Sequence, residues 1–202
     1  MALGYLAGKA SSKLLNARLN IPLIFTASIL PDVDLLLEPA LEHGGPPHSI
    51  IILATIFLPA FLVWKKETIP YFAAAVSHPL LGDYLTRWKG SKGLQLLFPL
   101  NSSWFSAGSA NAQLTYIYAE LALFTAFMTL MLATRDVTIL IKPHPSNMLL
   151  LIPIFTALLP VFLRFPTPAP PELIIPHLVL IAVFTLPILI DIVHAMHRKN
   201  RL

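Results

Sequence analysis

The chain has 202 residues, of which 56% are hydrophobic and 12% charged, with a mean hydropathy of +0.72 and a formal net charge of +4. Soluble domains carry about 25% charged residues, so an ordinary soluble enzyme is excluded by lack of polar surface, and a chain this apolar is not intrinsically disordered. The absence of cysteine removes disulfides, thiolate-held zinc, iron–sulfur clusters and thiol nucleophiles.

What remains is an all-α polytopic membrane protein. A spanning helix needs about 20 mostly apolar residues. Residues 3–19 read as a short amphipathic helix at the interface, with Lys9, Lys13 and Arg18 turned to water or head groups. The first candidate span is Ile21–Leu37, interrupted by Pro31-Asp32-Val33-Asp34. The second is His48–Trp64, and the third is Thr68–Thr86 with His78, Pro79 and Asp83 inside it. A polar stretch follows from Arg87 to Gln113. Leu114–Ala133, with Glu120 as its only charge, is the fourth span, Met148–Phe165 the fifth and Glu172–Met196 the sixth. The run Pro166–Pro171 is a stiff linker of polyproline type. There are 19 prolines, which cost about 3 kcal/mol each in an ordinary helix interior but are tolerated in membrane helices. Five to six spans with broken or re-entrant helices are expected. Residues 1–113 form the half that carries chemistry, 114–202 add three spans, and the whole is one membrane domain. No cleavable signal and no internal repeat is visible.

If all six segments cross, ten Lys and Arg lie on one side (Lys9, Lys13, Arg18, Lys65, Lys66, Arg135, Lys142, Arg198, Lys199, Arg201) and four on the other (Arg87, Lys89, Lys92, Arg164). Basic loops stay inside. The prediction is an inner or plasma membrane protein with both termini cytoplasmic. The basic excess serves topology and anionic lipid rather than nucleic acid.

An acid inside a membrane segment is a functional-site hypothesis by default. Asp32 and Asp34 sit at the outer end of the first span, His43 in the loop, His48 at the outer start of the second span, and Asp83 at the outer end of the third, with His78 five residues deeper. All six fall near the outer face. Three His and three Asp are a nitrogen and oxygen donor set that suits zinc, manganese or iron. One spacing resists: an ideal helix separates His78 and Asp83 by about 140°, and Pro79 is the feature that can distort this turn.

Leu30-Pro31-Asp32-Val33-Asp34, His43 with His48-Ser49, Ser77-His78 with Asp83-Tyr84-Leu85-Thr86, and Leu96-Leu97-Phe98-Pro99 occur in that order over roughly residues 24–100. This pattern resembles the YdjM-like group of predicted membrane-bound, metal-dependent hydrolases, itself distantly similar to zinc-dependent phospholipase C. The resemblance implies Asp32, Asp34, His43, His48, His78 and Asp83 as ligands of a divalent metal, zinc above manganese or iron. It implies hydrolysis of a phosphoester or lipid-like substrate by metal-activated water, with Asp34 or Asp83 taking the proton. The chain departs from the family pattern in three places: Met1–Gly8 contains no His, Gly44 stands where Arg is frequent, and the His78-to-Asp83 spacing is one residue longer. Those departures favour the alternative, a non-catalytic subunit of a larger membrane complex that keeps the scaffold.

Other polar residues read more simply. Glu120 is expected to pair with a Lys or His from another helix. His194 and His197 near Arg198 mark a solvated end, and His177 and Asp191 carry no assignment. Trp64, Trp88 and Trp104 fit an interfacial belt. Ser49 has no triad partners, which excludes a serine hydrolase.

Overall fold

A computed structural model describes residues 1–37, 41–86, 92–107, 112–164 and 168–199. The expectations that fall on Arg87, Trp88, Lys89, Pro166, Thr167 and Arg201 lie outside the described residues. All the regular elements among the described residues are helical. Ala2–Leu15 forms α1, which stops at Asn16 in the left-handed conformation. Asn20 then caps α2 (Ile21–Ser28) by accepting a hydrogen bond from the Leu23 N–H at 3.0 Å, with Pro22 in the first turn, where no donor is missed. Pro31 and the two Asp that follow lie in a tighter 3-10 segment, Leu30–Leu36. Pro46–His48 is a 3-10 turn that leads into α3 (Ile50–Trp64). Ile69–Ser77 forms α4, which widens into a π-helical turn over His78–Asp83 and closes in α5 (Tyr84–Thr86). The second half contains α6 (Ala112–Ala133), α7 (Asp136–Leu140), α8 (Leu151–Leu158) and α9 (Pro171–Lys199).

Three helical segments among the described residues are long and apolar enough to cross a membrane: Tyr116–Ala133, Pro145–Leu163 and Pro171–Arg198. They coincide with the fourth, fifth and sixth predicted spans. The count of five to six is not confirmed, because no first-half segment among the described residues is both long and apolar enough, although Ile69–Thr86 runs as one helical segment. At 1.5 Å per residue, α2 is about 12 Å long and α3 about 22 Å, against a hydrocarbon core of about 30 Å. The apolar runs extend beyond these helices, but the chain uses the extra residues for 3-10 and π turns around the acids and histidines.

The core is an aromatic cluster from four helices. Tyr5 of α1 stacks on Phe25 of α2 at 5.5 Å between centroids and meets Phe127 of α6 edge-on at 5.2 Å. Phe184 of α9 lies 4.6 Å from Phe25. This position of α1 differs from the interfacial helix predicted from sequence. Lys13 and Arg18 are exposed as expected, but Tyr5 is fully buried and Lys9 pairs with the buried Asp136. The cause is Gly4-x-x-x-Gly8, a small-residue face that lets helices approach closely. A Cβ on Gly4 would lie 2.1 Å from Ser28 Cβ, and one on Gly8 would lie 2.9 Å from the Pro70 carbonyl oxygen.

Candidate metal centre

The six residues singled out from the sequence meet at one end of this bundle. Their elements are the 3-10 segment after α2, the His43–His48 loop and the π turn after α4. Asp34 is fully buried and holds the loop. Its Oδ1 is 3.1 Å from His43 Nδ1, and its Oδ2 accepts the Gly44 N–H at 2.9 Å and lies 3.1 Å from His48 Nδ1. Gly44 has φ 87°, a left-handed conformation that suits glycine and would strain a residue with a side chain. The loop is held from the other side as well. The Gln95 N–H donates to the Gly44 carbonyl at 2.9 Å, and Ser49, which caps α3, donates through Oγ to the Phe98 carbonyl at 2.6 Å. Leu94 and Phe105 exchange two backbone hydrogen bonds of 2.8 Å and close that segment into a loop. The Leu96–Pro99 motif therefore serves to position the histidine loop.

A second group lies next to Asp34. His48 Nε2 is 3.2 Å from Asp83 Oδ2 and 3.6 Å from Asp32 Oδ1; His78 Nε2 is 3.4 Å from Asp83 Oδ2 and 3.3 Å from Asp32 Oδ1. These four atoms form a closed ring of alternating nitrogen and oxygen. None is a hydrogen-bond mate for His48 or Asp83: His48 Nε2 and Asp83 Oδ2 are buried without a hydrogen bond among the described residues, and His48 Nδ1 meets Asp34 only as an ion-pair contact. A regular tetrahedron with the ~2.0–2.1 Å bonds of zinc to nitrogen and oxygen has edges of about 3.3–3.4 Å. The spacings fit such a cation, and the orphaned His48 Nε2 and Asp83 Oδ2 give it a reason to bind. The donor atoms of Asp32, His48, His78 and Asp83 all lie within 4.8 Å of one another, as do those of Asp32, Asp34, His43 and His48.

The wide turn resolves the spacing that resisted in the sequence. Pro79 brings no N–H, and the Tyr84 N–H reaches back five residues to the Pro79 carbonyl. Two residues five apart in sequence then face the same point. Without a cation the cluster is a network of opposed charges. Burial disfavours a charged His48, but the three surrounding carboxylates outweigh it and raise its pKa to about 11. Burial also disfavours a charged Asp34, and His43 and His48 outweigh it and hold that carboxyl below the usual range.

A cavity of about 260 Å³ adjoins the cluster, reached by Asp32, His43 and His78 from one side and by α6, α8 and α9 from the other. Met1 and Ala2 line it too.

A family model described as YdjM inner membrane protein matches residues 1–166. The chain belongs to this family. Family and apolar helices agree on an integral membrane protein of the inner membrane. No curated protein and no solved structure matches the chain, so the likeness to zinc-dependent phospholipase C finds no support there. Two features of the site escaped sequence reading. Asp34 engages histidines through both of its oxygens, a role that spacing alone does not separate from that of Asp32. Glu120 and His177, far apart in the chain, both line the cavity; their polarity inside apolar helices was the available signal.

Proposed function

We propose that this YdjM-family protein is a membrane-embedded, metal-dependent hydrolase acting on a phosphoester or lipid-like substrate. The observation that carries the reading is the ring formed by Asp32, His48, Asp83 and His78, with edges of 3.2–3.6 Å and with His48 Nε2 and Asp83 Oδ2 buried and lacking hydrogen bonds. Those four residues would hold the cation, with zinc the best fit to the spacing. When bound, the cation lowers the pKa of a water towards neutrality and stabilises charge on a reacting oxygen.

The remaining work falls to the chain. Asp34 orients the two imidazoles by their Nδ1 atoms, which fixes where the Nε2 atoms point, the usual task of a carboxylate behind a ligating histidine. With both Asp34 oxygens engaged, proton transfer passes to His43. Its ring is 31% exposed, lines the cavity and keeps Nε2 available. The apolar part of the cavity wall restricts water and suits a lipid-like substrate entering sideways.

Elemental analysis of the purified full-length protein tests the reading. About one equivalent of tightly held transition metal is expected, lost in Asp32→Asn and His78→Gln. A metal content below that, unchanged by these substitutions, overturns it.

A further inference from the structure

The wall of the cavity opposite the metal centre carries its own chemistry. Tyr116, Glu120 and Phe124 are spaced four apart, so they form one stripe of α6 facing the cavity. Leu173, Pro176, His177 and Leu180 make the corresponding stripe of α9. Glu120 lies within the apolar segment Tyr116–Ala133, where an acid is expensive and expected to have a partner. Among the described residues it has no hydrogen bond or ion pair, contrary to the pairing predicted from sequence. His177 is oriented by its own helix: Nδ1 is 2.8 Å from the Leu173 carbonyl oxygen. A carbonyl only accepts, so Nδ1 carries a hydrogen, and with that tautomer Nε2 is an acceptor.

This wall therefore offers a carboxylate and an imidazole lone pair. None of the described residues that line the cavity is Lys or Arg, and the amino group of Met1 lies on the metal-centre side, near His78. A head group that is only anionic would face Glu120 with like charge, whereas an ammonium group would satisfy both acceptors and neutralise the acid. At about 260 Å³ the space is below the ~300–1,000 Å³ of drug-sized pockets, so it has room for a head group and leaves acyl chains in the bilayer. We propose that this cavity is the substrate subsite and that Glu120 and His177 select a phosphoester whose head group carries a protonated primary amine. The proposal rests on the hydrolase reading only in placing the phosphoester beside Asp32 and His78.

The test uses the full-length protein in detergent micelles and calorimetric binding of two probes, dihexanoyl phosphatidylethanolamine and dihexanoyl phosphatidylglycerol. The wild type is expected to bind the ethanolamine lipid at least about tenfold more tightly, the worth of a hydrogen bond to a charged group. Glu120→Gln, which keeps the shape, should erase the preference by weakening ethanolamine binding alone. His177→Gln should reduce it and supplies the test if the first variant fails to fold. Equal binding by the wild type, or a Glu120→Gln protein that weakens both lipids equally, overturns the proposal. Metal content measured on the same samples separates the two readings. A protein without metal that keeps the preference overturns the hydrolase alone, and a metal-loaded protein without preference overturns the subsite alone.

Discussion

His78 Nε2 lies 3.4 Å from Asp83 Oδ2, although an ordinary helix would point the two side chains in different directions. The π turn that brings them together depends on Pro79, whose missing N–H leaves the α-helical hydrogen bond unformed. Replacing Pro79 with Ala restores that donor and favours a regular helix. We expect metal affinity in Pro79→Ala to fall about 10- to 100-fold, the range for lost support behind a ligand, while the helical content stays unchanged. Competition with a chromophoric chelator measures the first quantity and circular dichroism the second. Unchanged affinity would show that the turn is not what aligns the ligands.

On the proposed reading, protons and metal compete for His48. Its pKa in the metal-free cluster is raised to about 11, so at neutral pH the ring is protonated and must lose that proton to bind a cation. Affinity should therefore rise with pH, by about tenfold per unit for each proton displaced. Titrations with zinc at pH 6 and pH 8 check this, and a flat profile contradicts it.

Asp136 is almost fully buried and is contacted by Lys9 and by the Tyr5 hydroxyl, which donates to it at 2.6 Å. Removing the cation from such a pair strands a buried charge. Lys9→Met should cost about 3–5 kcal/mol, and Lys9→Met with Asp136→Leu should recover most of it. Thermal unfolding in detergent reads both. A Tm in Lys9→Met equal to that of the wild type contradicts the pairing.

The two close-approach glycines should differ. A Cβ on Gly4 would strike Ser28 Cβ at 2.1 Å with the Ser28 Cα behind it, which forces α1 and α2 apart. On Gly8 the nearest atom is the far end of the Ile24 side chain, which can rotate away, leaving a 2.9 Å contact with the Pro70 carbonyl. Both Ala variants should lose roughly 1–3 kcal/mol, Gly4→Ala the more. The order of their melting temperatures decides the matter.

The sequence made the donor set legible because charge in an apolar chain is expensive and therefore conspicuous: Asp32, Asp34, His43, His48, His78 and Asp83 stood out before any fold was known. It made the last three spans legible for the opposite reason, since long apolar runs such as Leu114–Ala133 have few other uses. The division of labour between Asp32 and Asp34 was not legible, because two residues two apart diverge or converge according to a local 3-10 geometry that no periodicity encodes. The π turn was legible only as an anomaly of spacing. The burial of α1 was missed because Lys9 looked like a head-group contact; its partner Asp136 lies 127 residues away in the chain. Gly4-x-x-x-Gly8 was the local sign of that packing.

The hydrogen bonds from Gln95 to Gly44 and from Ser49 to Phe98 also set an order of events in biogenesis. His43 and His48 belong to a loop whose far support is made some 50 residues later, and that support is itself closed by Phe105. While the chain emerges during synthesis, α1 to α4 can be inserted with their imidazoles still unplaced. The contacts that hold this loop are therefore complete only after the segment through Phe105 has left the ribosome and folded back.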